Sequence, residues 1–126
     1  MELRKQYHFR PGPQGLRAWD VHRLIALADP LPVDEVPLSA IRELDEDYWS
    51  FDGVALTCRE IAEHAQLIVE ADLDYPILLS SDGRVMDGMH RVAKALIEKR
   101  NGVTAKRFVH DPEPDYVGKR PDELPY

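Results

Sequence analysis

Apolar positions recur at helical spacing in three stretches of the chain and crowd into short runs between them. In the first stretch Val21, Leu24, Ile25 and Ala28 fall on one face of a helix. Asp20 is placed to cap it, and Pro30 and Pro32 to end it. The second opens at Thr57-Cys58-Arg59-Glu60, the pattern of a capping box. It carries Ile61, Ala65, Ile68 and Val69 on one side, with Leu67 beside them, as far as Ala71. The third follows Gly88 and runs through Val92 to Arg100, with Asn101-Gly102 as its stop.

The runs between these helices read as strands. Val33 to Leu38 alternates weakly and, because of Pro37, suits an edge strand, with Ser39 to Leu44 as a helical turn after it. Pro76 to Ser80 is an apolar strand, Asp82-Gly83 a two-residue turn, and Val85-Met86 the return strand of that hairpin. Thr104 to Val109 is the last strand. The pattern predicts a small α+β domain, a mixed β-sheet packed with helices. One domain is expected over residues 1–126, flanked by an irregular arm (1–15) with at most one short strand and a proline-rich, extended tail (111–126). Asp45 to Gly53 reads as a loop holding Tyr48, Trp49 and Phe51. These aromatics serve as anchors to the core, or Trp49 lines a ligand pocket and stacks on a base.

Composition narrows the classes. Hydrophobic residues are 44% and charged residues 31%, the balance of a globular protein. A single cysteine, Cys58, excludes an internal disulfide and a four-cysteine zinc site. His8, His22, His64 and His110 have no metal-ligand spacing with one another or with Cys58. No apolar run reaches the length of a membrane span, and the first residues lack the apolar core of a signal peptide; a cytoplasmic protein is expected. The net charge of -7 disfavours a stand-alone nucleic-acid binder and favours a small-molecule or protein partner.

The candidate chemistry lies in Asp87-Gly88-Met89-His90-Arg91, where a strand hands over to a helix. The first turn of a helix has backbone N–H groups without partners and carries partial positive charge. With Arg91 and His90 beside it, the turn is suited to an anion such as phosphate. Asp87 reads first as the N-cap, then as a Mg²⁺ ligand beside the phosphates or an orienting partner for His90.

Asp87-Gly88-Met89-His90-Arg91-Val92-Ala93-Lys94-Ala95-Leu96, followed by Thr104-Ala105-Lys106, resembles the second box of the ParB/sulfiredoxin superfamily, in which G-x-[HR]-R-x-x-A opens a helix and a strand follows. Val36-Pro37-Leu38-Ser39-Ala40-Ile41-Arg42 is similar to the V-P-L-S segment of sulfiredoxins. The resemblance covers roughly residues 33–110. It implies a nucleotide-binding fold whose ligand is ATP, ADP or CTP, with Mg²⁺ as a companion. It also implies phosphate contacts from Gly88, Met89, His90 and Arg91, with Arg42 as a second basic contact. Met89 stands where sulfiredoxins have their catalytic cysteine, so their thiol chemistry is not expected. Fewer than forty residues follow Arg91, too few for the helix-turn-helix of partition proteins. His90-Arg91 replaces the arginine pair of ParB.

Three function classes follow. The first is a nucleotide- or phosphate-binding domain acting as a phosphotransferase, a nucleotide hydrolase or a switch, with Glu35, Glu43 and Asp87 as candidate catalytic carboxylates. The second is a non-catalytic protein-interaction or regulatory module. The third is a DNA-associated partition-like domain, which the charge disfavours.

Overall fold

Ile77, Leu78 and Leu79 decide the layering of the molecule. Side chains alternate across a strand, and all three are buried, so this strand is covered on both faces. A computed structural model describes residues 5–50 and 53–126; the expectations for residues 1–4 of the arm and for Phe51 lie outside them. The elements in chain order are β1 (Tyr7–Arg10), β2 (Arg17–Asp20), α1 (Val21–Ala28), β3 (Asp34–Pro37), α2 (Cys58–Glu70), β4 (Ile77–Leu79), β5 (Val85–Asp87), α3 (Met89–Ile97), β6 (Gly102–Arg107) and β7 (Tyr116–Val117). Two short 3-10 turns, Leu38–Ala40 and Arg42–Asp45, follow β3, and a third, Pro121–Glu123, lies in the tail.

The expected mixed sheet is present, in the order β3-β6-β4-β5. β4 and β6 are parallel, while β3 and β5 flank them antiparallel. Pro37 sits on an edge strand, where its missing N–H costs nothing. One face carries Ile77, Leu79, Val85, Val103 and Ala105 against Met89, Val92 and Ala95 of α3 and against Leu38 and Ile41. The other carries Leu78 and Met86 against Trp19, Leu24, Ala28 and Phe108. The mean architecture is therefore α+β, with helices on both faces of the main sheet.

A second sheet, β1-β2-β7, forms over the far side. The strand Arg17–Asp20 was not foreseen. Its partners are β1 and a piece of the tail, and nothing in four residues with charged ends announces them. The tail is extended and packed on the body. Asp115 accepts a hydrogen bond from the Asp20 N–H (2.7 Å), the Trp19 indole donates to Pro112 O (2.8 Å), and Tyr7 donates to Pro125 O.

Three other local expectations need correction. The hairpin turn has three residues, Ser81, Asp82 and Gly83, between the paired Ser80 and Arg84, with Gly83 at φ +85°. The third helix stops at Ile97, with Lys99 left-handed at φ 59°. Gly102 opens β6 instead, where an added Cβ would lie 2.5 Å from Val36 O. The glycine signal was real, but it reports a close strand approach and not a helix stop. Finally, α2 has its capping box but no buried residue, and Ile61 and Val69 are exposed. The helix packs against α3 but closes no core layer of its own.

Candidate functional site

β5 ends at Asp87 and the chain must turn at once into α3. Gly88 makes that turn at φ +107°, and an added Cβ would stand 2.5 Å from Ile77 Cγ2. Both the left-handed backbone and the contact require glycine. Gly88 is the N-cap of α3 but has no side chain to offer, and no side-chain hydrogen bond caps the first turn. The turn therefore relies on solvent or a ligand for the N–H groups that the helix does not use.

The side chains around it divide sharply. Met89 is buried in the core, so only its backbone faces the turn. Arg91 donates to Tyr75 O (3.0 Å) and Pro76 O (2.6 Å) and forms an ion pair with Asp87 (2.8 Å). It pins α3 to the entry of β4 and cancels the charge of Asp87. Asp87 therefore faces Arg91 and does not cap the helix.

His90 points into a cluster that sequence spacing did not reveal. His64, on α2, places Nδ1 2.8 Å from His90 Nε2. Trp49 stacks on both imidazoles, with ring centroids 4.6 Å from His64 and 4.9 Å from His90. A hydrogen bond between two imidazoles needs one donor and one lone pair, so the tautomers of the two rings are coupled. Trp49 packs against the core as an anchor, and its ring partners are these histidines. The signal available in the sequence was the position of His64 on the same helix face as Ile61 and Ile68.

Tyr48 packs beside Trp49, edge to face at 6.2 Å. Burial, reinforced by the charges of Glu43 and Asp87, pushes its phenol up to about 12. Glu43 is 3% exposed; its Oε2 accepts the Val85 N–H (2.6 Å) and lies 3.6 Å from Arg84 Nε. It ties the second 3-10 turn to β5. Glu35 is exposed on edge strand β3, opposite Thr104.

Arg42 does not join the Gly88 turn. Its guanidinium donates to Asp82 O (3.3 Å) at the tip of the β4–β5 hairpin. The strand β5, roughly 10 Å of extended chain, lies between that tip and Gly88. Gly88, Met89, His90, Arg91 and Asp87 thus form one locus, extended by Trp49 and His64. Arg42 and Glu35 lie elsewhere, and Glu43 is tied to the start of β5, its charge reaching Tyr48 as that of Asp87 does. Among the described residues no group of three or more His, Cys, Asp or Glu is arranged to hold a metal ion, and no helix is long and apolar enough to cross a membrane. Compared with protein-family models, with curated proteins and with solved structures, the chain matches none.

Proposed function

We propose that this domain binds a phosphate-bearing small molecule of the nucleotide class at the start of α3, on a scaffold of the ParB/sulfiredoxin kind. The observation that carries the reading is the first turn of α3, which has a glycine N-cap and no capping side chain. Phosphate oxygens accept readily from such backbone N–H groups, and the helix dipole favours the negative charge. Arg91 supports this indirectly. By neutralising Asp87 it leaves the positive end of the helix uncancelled. His90 stands next to the turn, held by His64 and Trp49.

The nucleotide, ATP, ADP or CTP with or without Mg²⁺, remains the expected ligand from the resemblance. The reading is one of binding. Glu35 is exposed on edge strand β3 and Glu43 is engaged by the Val85 N–H, so neither lends support to a carboxylate base at the turn.

Titration of the ¹⁵N-labelled protein with inorganic phosphate, ADP, ATP and CTP, with and without Mg²⁺, tests it. The Met89 and His90 amide resonances should shift saturably, and His90→Ala should weaken the effect. Unmoved amides at millimolar ligand would overturn the reading. Arg91→Ala is a poor test, because it also breaks the anchor of α3.

A further inference from the structure

We infer a second, separate binding site: a cleft between Arg42 and Arg107 that takes a small organic monoanion, a carboxylate with a short apolar body. The cleft has a volume of about 300 Å³ and lies where the parallel strands β4 and β6 end. Crevices at the carboxyl ends of parallel strands are the habitual ligand sites of open sheets. Val36, Ala40, Leu79 and Ala105 form its apolar lining, and Arg42 and Arg107 line it beside them.

The argument for an anion is the state of the two guanidinium groups. Arg10, Arg23, Arg84, Arg91, Arg100 and Arg120 each have a carboxylate partner. Among the described residues Arg17, Arg42, Arg59 and Arg107 have no such ion pair, and of these Arg42 and Arg107 line the cleft together. Both are instead bound to backbone carbonyls of the same turn, Arg42 to Asp82 O (3.3 Å) and Arg107 through Nε to Ser81 O (3.0 Å). The turn itself is fixed, since Asp111 accepts the Ser81 N–H (2.7 Å). Two like charges are thus aimed at consecutive carbonyls and held on one cleft. Neutral carbonyl partners orient a guanidinium without spending its charge, and its remaining donors suit the fork of a carboxylate.

The size and sign of the ligand follow from the other walls. Asp34 and Asp82 also line the cleft. The Ser80 hydroxyl, bonded to Asp82, holds that carboxyl below its usual range, so it stays ionised. Two arginines against two aspartates leave the cleft without net positive charge, so it does not hold a polyphosphate by charge; a single carboxylate is held by the directional donors of the two guanidinium groups. The larger depression, about 730 Å³ between the β1–β2 turn and the tail, is lined by one arginine, Arg120, already paired with Asp122 and Glu123, and so offers no pair of guanidinium groups.

The experiment follows the Arg Nε–H resonances of the whole chain during titration with propionate, with chloride at equal ionic strength and inorganic phosphate as the other arms. Propionate should shift the Arg42 and Arg107 signals saturably, and Arg42→Gln should weaken binding at least about tenfold, the loss expected for one charge-assisted hydrogen bond. Arg42→Gln should keep the wild-type melting temperature, because its side chain has one long bond to lose; Arg107→Gln repeats the test from the other wall. Shifts that chloride reproduces would overturn the proposal, as would tighter binding of phosphate than of propionate. The Met89 and His90 amides report in the same spectra on the other site, so the failure of either assignment is seen independently.

Discussion

At the scale of single residues, Gly88 and His8 carry the sharpest consequences. Gly88→Ala places a Cβ on a left-handed backbone and against Ile77. The backbone alone costs about 1–2 kcal/mol, and the contact adds to it. Gly88→Asn tolerates the backbone better but meets the same contact, so urea denaturation of the two variants separates the causes. Equal stability of Gly88→Ala and the wild type would show that neither operates. His8 is 8% exposed, and its Nε2 accepts from Arg10 Nε–H (2.9 Å). Burial, then the charges of Arg10 and Arg17, lower its pKa from 6.5 to about 3. The unfolded chain therefore takes up a proton on this side chain below 6.5 and the folded chain does not until about 3. Stability from this source is full above 6.5 and falls as the pH drops through that window, at up to about 1.4 kcal/mol per pH unit. His8→Gln keeps an acceptor for Arg10 without the titration. Its urea midpoint should depend less on pH between 6 and 4 than that of the wild type, and parallel curves would refute the assignment.

At the scale of elements, α2 is the one that differs most from the expectation. A periodic apolar stripe tells that a helix is amphipathic, not that another element remains to cover it. Here Ile61 and Val69 stay exposed, and α2 is held by the stack of His64 with Trp49 and His90 and by Lys94, whose Nζ donates to Val69 O (3.0 Å) and Ala71 O (2.6 Å). Such a helix opens at lower free energy than the core. Hydrogen exchange should find the α2 amides less protected than those of Val92 and Ala95 in α3, and Trp49→Ala should widen the gap; equal protection would mean that the stack contributes nothing. The elements that were legible share one property: their signal is local. The stripe of Val21, Leu24 and Ala28, the capping box of Thr57 and Glu60, and the apolar run of β4 each define themselves within a few residues. What was hidden depends on partners distant in sequence. β2 is made a strand by Tyr116 and Val117, and His64 is made part of the candidate site by Trp49 and His90. The same reason undid the grouping of Arg42 with Gly88, since only the path of β5 keeps them apart.

At the scale of the whole molecule, the question is whether two apolar layers make one cooperative unit. Leu79 and Val85 belong to the layer under α3, while Leu78 and Met86, their neighbours in the same strands, belong to the layer under α1. Because both layers hang on the same two strands, neither can melt while the strands stay paired with side chains packed. Loss of either layer should therefore unfold both. Trp49→Phe leaves Trp19, in the α1 layer, as the single tryptophan reporter. In that background Leu79→Ala, on the opposite face, should cost about 2–5 kcal/mol, as should Leu78→Ala. Each should move the Trp19 fluorescence midpoint and the far-ultraviolet circular dichroism midpoint together in urea. A Leu79→Ala variant whose dichroism melts early while Trp19 holds its midpoint would show that the layers are separable. The shared strands would then be a seam between two independently stable halves, and not the element that couples the α3 start to the rest of the fold.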